Sequence, residues 1–332
     1  MPLWLVLLLA YLFEFANGWT DAPNSIATVV STRVLRPHHA VIMAGLLNLA
    51  GALFIGTAVA KTIAAGIVDP NQVTLETLAA TLIAATIWAL GAQYLGLPSS
   101  ESHALVAGLL GSGFAAGGLR ALEWEGTRKS LIGLVTSPVG GFLGGFLLMV
   151  LVYRLFARVR RPVVRRIFGR LQILSAGFMA LSHGTGDGQK TMGIITLAVL
   201  LHRAGTAGRI PAEFPIPTWV IVSAGVVMGL GTMVGGWRVV RTMGLRMTHL
   251  EPVQGFAAET AAATVITAAA HVGVPVSTTH AIGTSIMGVG ATRRFSAVRW
   301  GVAGQVVAAW ILTWPSCAAL GYLLERAFRL VL

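Results

Sequence analysis

Apolar runs of about 20 residues, the length of helix that crosses a hydrocarbon core of roughly 30 Å, recur along the whole chain. Hydrophobic residues make up 55% of the 332 residues and charged residues 11%, against about 25% charged in an average soluble domain. No segment has the composition of a separate soluble domain. We therefore expect an all-α polytopic membrane protein of roughly 10–12 membrane segments.

The formal net charge of +12 raises the question of a nucleic-acid partner. The basic residues do not form one face interleaved with aromatic residues, so we expect no nucleic-acid partner. They lie in short loops between apolar runs, which is typical of the cytoplasmic side of an inner-membrane protein. The arginines of residues 154–170 predict a basic cytoplasmic linker there: Arg154, Arg158, Arg160, Arg161, Arg165, Arg166 and Arg170.

Hydrophobic periodicity predicts the order of the membrane segments. Two Gly/Ser/Thr-rich stretches, 98–118 and 275–292, are too short or too polar for ordinary spans and predict broken helices or hairpins. If each stretch counts as one net crossing, both termini are periplasmic. The remaining spans are expected near 3–32 (interrupted), 39–60, 75–96, 130–153, 171–202 (interrupted), 217–236, 254–272 and 300–325.

The two halves of the chain resemble each other locally. GWTDAPNS at 18–25 aligns with GTGDGQKT at 184–191, and PSSESH at 98–103 aligns with PVSTTH at 275–280, in the same order. With an odd number of crossings in each half the repeats are inverted, which is typical of secondary transporters with a site between the halves. The first repeat is expected over 1–153 and the second over 171–332, joined by the linker 154–170.

Two of the three aspartates, Asp21 and Asp187, occupy matching places within apolar runs. An ionisable residue at that depth costs roughly 2.5–3.5 kcal/mol, so it normally pairs, faces a cavity or binds an ion. A capping role at a half-helix is the alternative. The glycines around both aspartates predict an unwound backbone whose N–H and C=O groups can contact a bound ion.

Lys190 is a lysine within a predicted span, where it offers a fixed positive charge to an anion; snorkelling to the interface is the alternative. Hydroxyl groups and helix N-termini in the two Ser/Thr-rich stretches would favour an anion as well. Two carboxylates and a dianionic substrate would carry about −4 charges and Lys190 offsets one, so such an anion can enter only with Na⁺ or H⁺. His103 and His280 are expected as packed core residues, and His183 is a candidate proton carrier.

These motifs together resemble the inorganic phosphate transporter (PiT) family. HGTGDGQKTMGI at 183–194 is similar to the family's HGANDAQKTMGI, and GWTDAPNS is similar to its GANDVANS. The segments 235–259 and 275–290 also look like that family. The resemblance implies cation-coupled symport of inorganic phosphate by alternating access, in a homodimer, with co-transported Na⁺ or H⁺ and no other cofactor.

The resemblance also implies roles for individual residues. Asp21, Asn24 and Asp187 would coordinate Na⁺, helped by oxygens of Ser99, Ser100 and Ser277. Phosphate would be bound by Ser100, Ser102, Thr278, Thr279, Gln189 and Lys190. Some family members carry a neutral metal-phosphate complex, and relatives move sulfate.

Three positions depart from the family pattern. The asparagine before each aspartate is replaced by Thr20 in the first half and Gly186 in the second, which removes amide ligands for Na⁺. Glu101 stands where the family more often has Ser or Thr. It either carries a proton in place of a cation or points away into a polar cavity, and we favour proton coupling with Glu101 as the carrier.

Three alternatives stay open at this stage. A sulfate permease of the same fold would need donors only, whereas phosphate near neutral pH also offers a proton to an acceptor. A channel would share the spans but would not need carboxylates and a lysine beside one site. The GxGD pattern at 184–187 occurs in intramembrane aspartyl proteases, but that pattern alone explains neither Lys190 nor the paired Ser/Thr-rich stretches. We expect a transporter and not an enzyme.

Overall fold

A computed structural model of the protein describes residues 1–54, 56–205, 210 and 214–331. Within these residues the chain forms twelve α-helices, joined by turns and short 3-10 or π-helical segments, and no β-strand. The predicted all-α fold is confirmed. The helices are α1 (Leu3–Ser31), α2 (Pro37–Phe54), α3 (Ala58–Ala65), α4 (Leu75–Leu95), α5 (Glu101–Gly117), α6 (Trp124–Leu155), α7 (Arg161–Ala204), α8 (Thr218–Val234), α9 (Trp237–Arg241), α10 (Pro252–His271), α11 (Thr278–Ala291) and α12 (Trp300–Val331).

Six helical segments of the described residues are long and apolar enough to cross a membrane. They are α1, α2, α4, α5 with the turn that follows it, α6 and α12. A seventh crossing results if α8 and the segment Trp237–Arg246, which meet at 58°, count as one broken span. The long helices α7 and α10 stand outside this set because they carry many of the buried polar side chains described below. The chain is a multi-pass membrane protein.

The predicted interruptions of the first and fifth spans are wrong. α1 runs without a break through Asp21, with Pro23 inside it, and α7 runs without a break through Asp187. The interrupted helices lie elsewhere in the fold. They break before α5, before α11 and between α8 and α9.

The glycines beside the aspartates permit close packing of helices and not an unwound backbone. A Cβ atom on Gly18 of α1 would lie 2.3 Å from the carbonyl oxygen of Met228 in α8. A Cβ atom on Gly184 of α7 would lie 2.0 Å from the carbonyl oxygen of Asn48 in α2. Both distances are far shorter than an ordinary van der Waals contact, so only glycine fits. Gly18 and Gly184 occupy matching places in the aligned motifs.

Helices pair in the same way in both halves of the chain. α1 packs against α8 and α2 packs against α7, so each half lends a long helix to the other. In the same manner α5 packs against α12, and α11 packs against α6. These exchanged contacts fit the predicted inverted repeat, and they place the meeting point of the two halves at the centre of the protein.

Each of the two Ser/Thr-rich stretches becomes a helix that starts inside the protein after a break. α4 ends at Leu95 and is capped by Gly96, whose φ of 70° is left-handed, and α5 starts at Glu101. The N-cap serine of α5, Ser100, accepts a hydrogen bond from the backbone N–H of His103 at 3.3 Å. Ser277 caps α11 in the same way by accepting from the N–H of His280 at 3.1 Å. Because α4 packs on α5 and α10 packs on α11, both stretches are part of helical hairpins, as predicted.

The basic segment 154–170 is mostly helical. α6 ends at Leu155 and α7 begins at Arg161, so only residues 156–160 connect the two helices. α7 has 44 residues. At 1.5 Å per residue it is about 66 Å long, more than twice a hydrocarbon core of roughly 30 Å. Its arginine-rich first turns therefore extend beyond the membrane.

Candidate functional site

Asp21 and Asp187 lie close together where α1 packs against α7. Both are buried, with 3% and 1% of their surface exposed. His183, one turn before Asp187, lies between them, with Nε2 3.4 Å from Asp187 Oδ2 and 3.8 Å from Asp21 Oδ2. Ligand atoms of the three side chains all lie within 4.8 Å of one another. A cation between these atoms would contact all three groups.

The first turn of α11 provides hydroxyl groups to both aspartates. Thr278 Oγ1 donates to Asp187 Oδ2 at 3.0 Å, and Thr279 Oγ1 donates to Asp21 Oδ1 at 2.9 Å. Asn24, one turn after Asp21, donates from Nδ2 to both threonine hydroxyls at 3.2 and 3.0 Å. The structure thus brings five predicted site residues from both halves into a single polar centre.

Lys190 is buried in the same centre, with 2% of its surface exposed. Its Nζ donates to Asp187 Oδ1, to Ser102 Oγ in the first turn of α5, and to the carbonyl oxygen of Val276 at 3.2 Å. A lysine that snorkels would extend to the membrane surface. Lys190 instead joins α7 to the N-terminal ends of α5 and α11 and places a positive charge between them.

Glu101, the first residue of α5, faces the centre and not an outer cavity. Its Oε1 accepts hydrogen bonds from Thr20 Oγ1 at 3.0 Å and from Ser99 Oγ at 3.2 Å. Its carboxyl group also neighbours that of Asp21. Two adjacent carboxylates repel each other when both are ionised, so this pair is most stable with a proton or a cation between them.

The N-terminal ends of α5 and α11 both point into the centre, because Glu101, Ser102, Thr278 and Thr279 belong to their first turns. Helix N-termini carry unpaired N–H groups and a partial positive charge, which favour a bound anion. Ser100 and Ser277 hold these helix starts as N-caps. Both serines therefore have a structural role as N-caps, in addition to any contact with a substrate.

Gln189 lies outside the centre. Its Oε1 accepts hydrogen bonds from the backbone N–H groups of Val59 at 2.8 Å and Ala60 at 3.4 Å, and thereby caps the start of α3. The expectation that it contacts the substrate came from the family resemblance. Successive residues of a helix do not face the same side, so the structure does not bring Gln189 to the other residues predicted to bind phosphate.

His103 and His280 form a buried pair beside the centre. Their ring centroids lie 4.7 Å apart with an edge-on geometry. His280 packs against Trp310 at 3.9 Å, and His103 packs against Trp314 at 5.6 Å. These contacts agree with the expected role as packed core residues where α5 meets α11.

The sequence interpretation missed several buried polar residues. Asn48 of α2 positions His183, because its Oδ1 lies 3.2 Å from His183 Nδ1 while its Nδ2 donates to Thr232 at 2.8 Å. Glu14 of α1 and Glu259 of α10 are fully buried as well. The signal that identified the aspartates, an ionisable residue within an apolar run, applies equally to both glutamates.

The centre combines two kinds of chemistry. Hydroxyl groups, an ammonium group and two helix N-termini can donate hydrogen bonds to an oxyanion. The carboxylates of Asp21, Asp187 and Glu101 can hold cations or protons, and they outnumber the ammonium group of Lys190. A dianion can therefore enter only together with positive charge.

Comparison with known proteins finds the same similarity along the whole chain. The model of the phosphate transporter family matches residues 17–321. A probable low-affinity inorganic phosphate transporter of Rhizobium meliloti (strain 1021) is 47% identical over 322 residues, which cover 97% of this chain and 95% of that protein. A protein of the same description from Bacillus subtilis (strain 168) is 41% identical over 321 residues, covering 96% and 94%.

A solved structure has the same fold. It is described as the sodium-dependent phosphate transporter, and it superposes with a TM-score of 0.89 at 26% sequence identity. The match covers 99% of this chain and 99% of that chain. The similarity in sequence and the similarity in fold therefore extend over the same residues, the polar centre included.

Proposed function

The chain belongs to the phosphate transporter family, and we propose that it moves inorganic phosphate across the inner membrane in symport with a cation. Membership of this family makes the protein a transporter and not an enzyme, so the alternative of an intramembrane aspartyl protease is wrong. Its substrate, its driving ion and its transport cycle are inferred from the centre described above.

One observation carries the proposal: oxyanion donors and cation-binding carboxylates converge where the two halves meet. Ser102, Thr278, Thr279 and Lys190 supply the donors, and in the present arrangement three of these four donate to the two aspartates. When phosphate enters, these donors turn to its oxygens, and cations or protons neutralise the aspartates in their place. Binding of the anion and binding of the cation are thus coupled through the same hydrogen bonds.

The protonation state of the substrate favours phosphate over sulfate. Phosphate keeps a proton near neutral pH and needs at least one acceptor, whereas sulfate needs donors only. Glu101 and Asp21 provide carboxylate acceptors beside the donors of α11. A site for sulfate would leave these carboxylates facing an anion with no proton to share, which is unfavourable in a buried place.

Burial of the centre supports alternating access. Asp21, Asp187 and Lys190 are at most 3% exposed. The substrate therefore reaches them only after the halves rearrange. The exchanged pairs α1 with α8 and α2 with α7 provide two equivalent sets of contacts, of which one can open while the other stays closed. Dimerisation and transport of a metal-phosphate complex, both implied by the family resemblance, stay predictions.

The proposal is tested by uptake of radiolabelled phosphate into proteoliposomes under an imposed H⁺ or Na⁺ gradient. We expect saturable, gradient-driven accumulation of phosphate, with an excess of unlabelled sulfate competing only weakly. A flux that does not saturate and follows only the phosphate gradient would indicate a channel. Stronger competition by sulfate than by phosphate would make the protein a sulfate permease.

The arginine-rich segment around residues 156–170 determines the proposed topology. The topology in turn predicts which residues a thiol reagent can label from outside the cell. In a Cys317→Ser background, we expect Arg158→Cys to react with a membrane-impermeant thiol reagent only after the cells are permeabilised, since arginine-rich loops stay on the cytoplasmic side of the membrane. Leu119→Cys, at the opposite end of α6 and 79% exposed, is the control that should react in intact cells. The reverse pattern would place both termini in the cytoplasm instead of the periplasm.

A further inference from the structure

A second group of buried oxygen atoms lies on α1 and α7, outside the centre. Glu14 is fully buried, and its Oε2 accepts a hydrogen bond from Thr191 Oγ1 of α7. Asn17, one turn after Glu14, is 2% exposed, and its side chain contacts the Glu14 carboxyl group. Glu14 Oε1 and Asn17 Oδ1 have no hydrogen-bond partner among the described residues. Buried oxygens of this kind are normally satisfied by an ordered water or an ion.

Two other buried glutamates differ from Glu14 in their partners. The oxygens of Glu259 accept hydrogen bonds from Thr28, Gln172 and Ser175, and so both of them are satisfied. Glu325 Oε2 has no hydrogen-bond partner among the described residues, but its Oε1 forms an ion pair with Arg329 at 3.0 Å. Glu14 has neither a full set of donors nor an ion pair in the described part of the chain.

The charge around Glu14 requires a positive partner. The ionised groups of α7 that act on it are Asp187 and Lys190, and these two form an ion pair with each other. Apolar residues of the same two helices, among them Phe13 of α1 and Ile194 of α7, are buried in one hydrophobic cluster. A buried carboxylate without a counter-charge costs several kcal/mol, so Glu14 is stable only with a proton or a bound cation.

The group is also placed where a co-transported ion would pass. Glu14 precedes Asp21 by two helical turns on the same face of α1, about 10 Å along the axis. Thr191 follows Asp187 by one turn, so α1 and α7 run in opposite directions past the centre. With the N-terminus on the periplasmic side, Glu14 lies between the centre and the outer surface.

We propose that Glu14, Asn17 and Thr191 form a second site for the driving cation, Na⁺ or H⁺, on the periplasmic side of the centre. A carboxylate, an amide oxygen and a hydroxyl are the oxygen ligands that a hard monovalent cation takes, and the carboxylate alone suffices for a proton. The inference deepens the proposed function, on which it rests. The site loads the cation before the central aspartates receive it.

The test compares Glu14→Gln with wild type in two series, NaCl at fixed pH and pH without Na⁺, at constant ionic strength. The thermal midpoint of the purified protein reports cation binding, and proteoliposomes report phosphate accumulation. In one of the two series, the variant should need about tenfold more cation for half-maximal response, as is typical when a group that supports a metal site is lost. Phosphate exchange at saturating cation should change by less than about twofold, since Glu14 does not touch the substrate site.

Glu325→Gln is the matched control, because it makes the same substitution at a buried glutamate that is already paired. It should leave both cation series unchanged. Asn17→Ala provides a second variant if Glu14→Gln does not fold, and it should shift the same series in the same direction. Wild-type exchange of phosphate together with unchanged cation dependence in the variants would overturn the Glu14 site alone. Absence of phosphate exchange in wild type would overturn the proposed function.

Discussion

Asp21→Asn and Asp187→Asn should each abolish gradient-driven phosphate uptake. Each aspartate accepts a hydrogen bond from a threonine hydroxyl of α11, at 2.9 Å for Asp21 and 3.0 Å for Asp187. Asparagine keeps a side-chain oxygen that can accept this bond. What it loses is the negative charge that would hold the cation and that, at Asp187, pairs with Lys190. We expect a fall of more than about 100-fold in initial uptake rate, beyond the effect typical of residues that only support a ligand.

The measurement is radiolabelled phosphate uptake, with size-exclusion chromatography to show that the variants insert and fold. Asp69→Asn is the matched control, because Asp69 is the third aspartate and, among the described residues, its side chain accepts hydrogen bonds only from the nearby Asn71 in a loop. It should transport like wild type. Near-normal uptake by either central variant would reduce that aspartate to a packing or capping residue.

The fold could be predicted where hydrophobic length and repetition decide it. The spans, the two helical hairpins and the correspondence of Gly18 with Gly184 all follow from apolar runs and paired motifs. The continuity of α1 and α7 could not be predicted. A glycine next to a buried aspartate is compatible both with an unwound backbone and with a tight helix crossing. The structure distinguishes the two, because the carbonyl oxygens of Met228 and Asn48 lie too close for any other residue.

The site could be predicted where one residue type is costly in its surroundings. Asp21, Asp187 and Lys190 are rare charges in apolar runs, and all three meet in the centre. Gln189 shows the limit of that argument. Its place in a motif gives no information about the direction of its side chain, which is set by the helix and by the start of α3.

Thr20 and Glu101, the two departures from the family pattern in the first half, contact each other. Thr20 Oγ1 donates to Glu101 Oε1 at 3.0 Å. Thr20 therefore has a hydroxyl where the family pattern has an amide, and Glu101 has a carboxylate where the family pattern has a hydroxyl. Glu101 thereby adds a titratable group next to Asp21. This pairing supports the proton as the driving ion.

Glu101→Gln is accordingly expected to separate coupling from substrate binding. Glutamine still accepts from Thr20, so the local structure is kept, but it cannot bind and release a proton. In proteoliposomes without a membrane potential, an inward H⁺ gradient should drive accumulation in wild type and fail to do so in the variant. Exchange of phosphate between identical solutions should persist, because exchange needs no net proton release.

Ser99→Ala is the control for this experiment, since it removes the other donor to Glu101, at 3.2 Å, and leaves the titratable group in place. It should keep its response to the H⁺ gradient. An inward Na⁺ gradient at equal pH on both sides should do little in any of these proteins. Accumulation driven by Na⁺ and unchanged by Glu101→Gln would contradict proton coupling, and it would assign the cation to Asp21, Asn24 and Asp187 with oxygen ligands that compensate for Thr20 and Gly186.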